Sequence, residues 1–267
     1  MQLLRGRTSG VRSLAISPDS RLVLASSVFT CCHVWDLSDA KPKPRMILPD
    51  GGCHYITFSS ATTLSACVRE VWWRYDLAAN TQVELEFPAK VRHRDAILHA
   101  SGDRLTSHPF DPTGVRYLAD DPDDELGGRE FCQLRDTVTD QIVTTFERPK
   151  EEERVEQCVF APDGGRLFVV TRHHVTVYAC PQGGPPVLDF ALPKGCKLHA
   201  LAVHPGGRTL ATIEDERTVT LRDADTLRPL RSYDFAMPKL TCVAFTPDGT
   251  RCVVGNSCGK VLLFDVE

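Results

Sequence analysis

The sequence predicts an all-β chain built from one short, four-stranded unit used repeatedly. Three observations carry that expectation. A Pro-centred turn recurs along the 267 residues. A second marker, an aromatic residue or Arg and then usually Asp, closes a β-branched run downstream of each turn. No long segment shows the apolar period of 3.6 that marks an amphipathic helix.

Internal similarity is weighed before any local element, because overlooking a repeat misassigns the whole fold. The turn is clearest in ISPDSRLVLAS (16–26), FAPDGGRLFVV (160–170), VHPGGRTLATI (203–213) and FTPDGTRCVVGN (245–256). Weaker copies are FSSATTLSA (58–66) and FDPTGVRYLA (110–119). The Pro or its equivalent falls at Pro18, Ser60, Pro112, Pro162, Pro205 and Pro247, giving intervals of 42, 52, 50, 43 and 42 residues. The second marker reads VWDL (34–37), RYDL (74–77), LRDT (134–137), VYAC (177–180), LRDA (221–224) and LFDV (263–266). From the Pro position to the Asp position, four of the six spacings are 17 or 18 residues, while the second unit has 16 and the third 24.

Each unit divides into four strands. Two residues before the Pro marker stand Ile16, Phe58, Phe110, Phe160, Val203 and Phe245; four before it stand Leu14, Ile56, His108, Cys158, Leu201 and Val243. Such a period-two column, mostly apolar, ahead of a turn describes a buried first strand. Pro-Asp-Gly and Pro-Gly-Gly then supply a preset φ and a residue that tolerates positive φ. The runs LVLAS, RLFVV, TLATI and CVVG make the second strand, and CCHVW, HVTVY, TVTLR and KVLLF the third. Segments such as QIVTTF (141–146) and TLRPLRSY (226–233) make the fourth.

Four short strands in a unit of this length match a β-propeller blade. The sequence resembles the WD-repeat (WD40) β-propellers over nearly its whole length, with VWDL at 34–37 and LFDV at 263–266 in the position that names the family. The family's Gly-His dipeptide is absent; GRTSG (6–10) comes nearest, with Arg7 where His is expected. Trp is kept in one repeat, and Tyr, Phe or Arg stand in elsewhere. The polar network that links His to Trp in the family is therefore expected to be largely missing, leaving the blades to apolar packing and turns.

The expectation is one domain over 1–267: a single all-β propeller of four-stranded antiparallel blades, six in number. A seventh, eroded blade is the rival count, but the two long intervals leave a surplus of only about 18 residues, far short of a four-stranded unit. In this family one terminus often completes the blade of the other. MQLL (1–4) has no strand of its own blade to join, so Met1–Leu4 is expected to add the outer strand to the sheet ending at 261–266. That pairing would cover an edge otherwise open to aggregation.

Composition bounds the function classes. Apolar residues make up 42 %, charged residues 25 %, and the net charge is -4, which offers no electrostatic footprint for nucleic acid. No apolar run reaches the length of a membrane helix, and MQLLRGRTSG lacks the apolar core of a secretory signal, so the expected compartment is cytoplasmic. The 11 cysteines include no C-x-x-C pair and read mainly as buried free thiols. Cys31, Cys32 and His33 look like metal ligands, but adjacent strand residues point to opposite faces.

The surplus residues mark a candidate site. One insertion surrounds AKVRHRDAILHASGD (89–103) and is basic through Arg92, His93 and Arg94. The other, ADDPDDELGGRE (119–130), is acidic through Asp120, Asp121, Asp123, Asp124 and Glu125. In the propeller resemblance the two emerge on one face and sit together at the rim. They read either as solvated loops that pair loosely or as a partner-docking patch, since long loops on a rigid scaffold often carry function. The acidic loop lacks the ligand spacing and terminal Glu of an EF-hand. Trp72-Trp73 face opposite sides of a strand and read as packed on both sides ahead of a binding hot spot in which one ring reaches another surface, and His173-His174 read as surface turn residues.

No G-x-S-x-G, H-E-x-x-H or phosphate-cradling glycine loop is present. The resemblance implies a non-enzymatic scaffold that binds proteins or peptides, monomeric and without catalytic residues, metal or cofactor. The alternative is a six-bladed propeller hydrolase or lactonase with its site at the channel mouth.

Overall fold

In the computed structural model the Pro-centred turns close in one common way. The amides of Ser20, Gly164, Gly207 and Gly249 donate to the carbonyls of Ser17, Ala161, His204 and Thr246 at 2.8, 2.9, 2.8 and 2.8 Å. These fourth residues hold φ of 60, 68, 72 and 73°, so three of the four turns place glycine in the left-handed region. The first residue adds a side-chain bond where it carries a hydroxyl. Leu22 N–H donates to Ser17 Oγ at 2.8 Å and Arg251 N–H to Thr246 Oγ1 at 3.0 Å, which brings each first strand directly against its second.

The structure describes residues 1–5, 10–27, 32–47, 53–68, 71–85, 97–98, 105–106, 115–120, 131–136, 138–139, 141–146, 155–237 and 239–266. A short strand β1 (Gln2–Arg5) precedes blade 1, which holds β2 (Val11–Ile16), β3 (Leu22–Ser27), β4 (Cys32–Asp36) and β5 (Arg45–Ile47). Blade 2 holds β6 (Cys53–Phe58), β7 (Thr63–Val68), β8 (Val71–Asp76) and β9 (Thr81–Leu85). A separate hairpin pairs β10 (Ile97–Leu98) with β11 (Leu105–Thr106). Blade 3 follows with β12 (Arg116–Asp120), β13 (Phe131–Asp136) and β14 (Ile142–Thr145). Blade 4 holds β15 (Gln157–Phe160), β16 (Arg166–Val170), β17 (His174–Ala179) and β18 (Leu188–Ala191). Blade 5 holds β19 (Leu198–Val203), β20 (Thr209–Glu214), β21 (Thr218–Asp223) and β22 (Pro229–Asp234). Blade 6 is made of β23 (Leu240–Phe245), β24 (Arg251–Asn256), β25 (Lys260–Asp265) and the distant β1.

Outside the third unit the expected strands are therefore present in order, all antiparallel, and five sheets are complete with four strands. In the third unit the first strand expected around His108 and Phe110 lies outside the described residues, and a hairpin pairs Leu105–Thr106 with Ile97–Leu98. The blade count of six rests on that unit.

Among the described residues, apolar columns pack across five junctions between consecutive blades. Leu24, Val34 and Ile47 of blade 1 meet Ile56, Phe58 and Leu64 of blade 2. Leu118 and Leu134 of blade 3 meet Phe160, Leu167 and Tyr178 of blade 4. Phe168 and Val177 join Leu201 and Leu210 across blades 4 and 5, and Ile213 and Val219 join Phe245 and Val254 across blades 5 and 6. The last junction closes on the first. Val253, Val261 and Leu263 pack with Leu4, Val11, Val23 and the fully buried Trp35.

Closure follows the expectation from MQLL. Strand β1 pairs antiparallel with β25, Gln2 opposite Leu263 and Leu4 opposite Val261, and Leu4 is 1 % exposed. Thr241 Oγ1 donates to the Val11 carbonyl at 2.6 Å, and Asp248 N–H donates to Ser20 Oγ at 3.1 Å, so polar bonds cross the same junction at both ends.

Candidate interaction face at the start of the inner strands

Antiparallel order dictates which segments share a face. The start of each inner strand, the turn between second and third strands, and the connection from one outer strand to the next blade all fall at one end of the sheets. Residues before β2, β6, β19 and β23 therefore meet the turns after β3, β7, β20 and β24 there.

Four inner strands carry the same irregularity at this end. Register shifts occur between Val11 and Ser13, Cys53 and Tyr55, Leu198 and Ala200, and Leu240 and Cys242. Each shift inserts one extra residue, a β-bulge, which leaves that residue unpaired and re-aims its side chain. The inserted residues are Arg12, His54, His199 and Thr241; Arg12, His199 and Thr241 are exposed. Sequence reasoning missed them, although each stands six residues before its Pro marker. A strict period of two would have put these polar residues in the buried column. The bulge moves the column to Val11, Leu198 and Leu240, all buried.

The neighbouring backbone is pinned from blade to blade. Leu198 N–H donates to the Arg172 carbonyl at 2.8 Å, joining blade 5 to the turn of blade 4. Lys197 N–H donates to Asp215 Oδ1 at 2.8 Å while Asp215 N–H donates to the Lys197 carbonyl at 2.9 Å. Leu240 N–H reaches the Glu216 carbonyl at 2.7 Å, and Ser257 N–H reaches the Lys239 carbonyl at 2.9 Å. Asp215 and Glu216 hold φ of 51 and 57° with no glycine in the turn, a strained arrangement held by those bonds. Burial first, and then the Asp215 carboxylate, push the Cys196 thiol up from its ordinary range, so it is a poor nucleophile. His199 Nδ1 stands 4.0 Å from Glu216 Oε1.

The residues singled out from the insertions fare differently. Asp120 ends β12 opposite Phe131, and Arg92, His93, Arg94, Asp121, Asp123, Asp124 and Glu125 lie outside the described residues. Trp73 is half-buried in β8 opposite Ala66. His174 begins β17 and is not a turn residue; its Nδ1 lies 3.7 Å from Asp189. Cys32 is buried in the blade 1–2 core while the adjacent His33 stacks on Trp35 at 5.8 Å, on the opposite face of the sheet. Cys32, Cys180 and Cys252 are buried thiols as expected, and burial pushes Cys242 up to about 12, but Cys258 is exposed.

One expectation needs correction. The blades were expected to dispense with polar networks, yet blade 5 has a buried one. Arg222 stands in the column of Trp35, and its Nε and Nη2 donate to Glu214 Oε1 at 3.0 and 2.8 Å. Its Nη1 donates to the Leu227 carbonyl at 2.8 Å, and its guanidinium lies 5.0 Å over the Phe190 ring.

Comparison with known proteins agrees with this architecture. The family model described as "WD domain, G-beta repeat" matches residues 1–36 and 228–265, the segments that pair to close the ring. No curated protein matches the chain. Among solved structures, the β-propeller domain of Cps50 (Swd1) from Myceliophteria thermophila aligns with a TM-score of 0.57 at 14 % identity, covering 100 % of this chain and 87 % of that one. Both ends of the chain thus match the WD-repeat model, and the whole chain follows a β-propeller fold.

Proposed function

We propose that the chain is a non-catalytic scaffold that binds a protein or peptide on the face where its inner strands begin. The observation that carries this reading is the repeated bulge. It exposes Arg12, His199 and Thr241 at one level of successive blades, on backbone tied by hydrogen bonds between blades. A partner that docks on such a support has little backbone to order, which favours affinity. WD-repeat propellers commonly serve as interaction platforms, and that analogy supports the class of function without naming a partner.

Affinity capture from native extract, read by mass spectrometry, tests the reading. The intact chain is compared with Arg12→Ala/His199→Ala and with a variant whose 89–103 and 119–130 segments are Gly-Ser loops. A partner held by the intact chain and lost by either variant supports the scaffold and places its site. Retention of every captured protein by both variants would reject this face.

A further inference from the structure

The interaction face from blade 4 through blade 6 to blade 1 carries an arc of exposed cations on a chain of net charge -4. Arg172 lies in the second-to-third turn of blade 4, Lys194 and Lys197 in the connection from blade 4 to blade 5, and Lys239 in the connection from blade 5 to blade 6. Lys260 begins β25, and Arg12 is the bulge residue of blade 1. The backbone bonds already described make the arc continuous: Leu198 to Arg172, Lys197 to Asp215, Glu216 to Leu240, Lys239 to Ser257, and Thr241 to Val11. A Cβ on Gly10 would meet the Ser257 carbonyl oxygen at 2.9 Å, which shows how closely blade 1 abuts that turn.

These cations are not spent on internal pairs. Among the described residues the ion pairs near this face are Arg217 with Asp234, Arg222 with Glu214, and His199 with Glu216, and none uses the six cations named. Their carboxylate neighbours are fewer. Asp215 already accepts from the Lys197 amide, Glu216 faces His199, and Glu156 is exposed beside β15 at the blade 4 margin. Asp234 and Glu214 are matched by Arg217 and Arg222, so among the described residues the six cations face three further carboxylates and the arc is positive.

We infer that this arc docks an acidic peptide segment of a partner protein, carboxylate-rich and extended across the blade 4–5, 5–6 and 6–1 junctions. The inference rests on the scaffold reading and names its ligand chemistry. Electrostatic complementarity of this kind steers encounter and selects partners more than it adds affinity. A peptide fits better than other polyanions. Single-stranded nucleic acid calls for aromatic stacking platforms, and no aromatic residue stands among the arc residues named. A lipid surface calls for an apolar anchor, whereas the exposed Met46, Val83, Ile142, Val143 and Leu230 stand on outer strands. The bulge residues His199 and Thr241 add side-chain hydrogen-bonding groups between the charges.

Fluorescence anisotropy tests this with a fluorescein-labelled Glu-Ser decapeptide, and with Gln-Ser and Lys-Ser decapeptides of equal length. The acidic probe is expected to bind alone among the three and to weaken as salt rises. Lys194→Glu/Lys197→Glu/Lys239→Glu should weaken it by roughly tenfold or more, while Arg208→Glu, at an exposed turn on the opposite end, stays within about twofold. Thermal unfolding checks that the triple variant is folded, and Lys194→Ala alone gives the same direction if it is not. Equal binding of acidic and neutral probes, or equal effects of the triple variant and Arg208→Glu, would overturn the inference. A captured partner that tolerates the triple variant but is lost with Arg12→Ala/His199→Ala would leave the scaffold standing and remove the acidic-peptide reading.

Discussion

Blades 1 and 5 solve one position with opposite chemistry. Trp35 and Arg222 occupy the same column, each paired across the sheet with an apolar residue of the second strand, Val23 and Leu210. Both are buried. Trp35 packs among Leu4, Val11, Ala25 and Val253, and its indole N–H has no acceptor among the described residues. Arg222 instead gives hydrogen bonds to Glu214 and Leu227, and Thr212 Oγ1 donates to the same Glu214 oxygen at 2.7 Å. The position demands a large side chain that fills the space between blades. A charge is tolerated there only because carboxylate, carbonyl and ring face were assembled around it, since an unpaired buried charge is strongly destabilising.

That reading is easiest to break by exchanging the two residues. Trp35→Arg removes the packing and buries a charge beside Ala25 and Ser27, so the loss should exceed about 5 kcal/mol and abolish cooperative unfolding in a thermal scan. Adding Ser27→Glu recreates the blade 5 pair at the equivalent register and should restore a measurable transition. If the double variant is no better than the single one, the column is not interchangeable. Glu214→Ala strands Arg222 and should cost about 3–5 kcal/mol in urea unfolding. Replacing both partners by Leu should cost less than Glu214→Ala, because the desolvated charge goes with its partner.

Acid titration compares the two blades at the surface. In blade 1 the side-chain bond from Arg21, at 2.6 Å from Asp36, holds the Asp36 carboxyl well below its ordinary value of 3.8. In blade 5 the Thr226 hydroxyl and amide lower Asp223. The folded-state values are depressed, so both carboxylates stabilise the fold fully above pH 3.8 and lose that contribution as pH falls through the folded values. Stability should be level from neutrality to about pH 5 and decline below about pH 4. Arg21→Ala should flatten the decline. The smallest effect concerns the orphan indole. Ala25 stands where blade 5 has Thr212, so Ala25→Ser offers Trp35 an acceptor and should raise stability by about 1 kcal/mol, seen as a higher midpoint at unchanged slope.

Much of this was legible in the residues. Ser17-Pro18-Asp19-Ser20 and Thr246-Pro247-Asp248-Gly249 act locally, through a preset φ and a residue tolerant of positive φ, so their turns could be read without the fold. The bulges could not. Arg12, His199 and Thr241 leave the buried column only because an extra residue is inserted where inner strands converge, and that depends on neighbouring blades. The basic arc was illegible for a related reason: Arg172, Lys194, Lys239 and Arg12 are scattered through the chain and share a surface only after the ring closes.

By itself, then, the sequence determined the all-β repeat, its turns and the alternation of its strands, because each depends on local backbone preference or on a period along the chain; the pairing of Met1–Leu4 with the last sheet was implied by the family resemblance. Only the tertiary structure decided that Arg222 would be buried on Glu214, that Trp35 would lack a described partner, and which polar residues would share one face. Those outcomes depend on contacts between blades, where desolvation of a group and the supply of its partners come from segments distant in sequence.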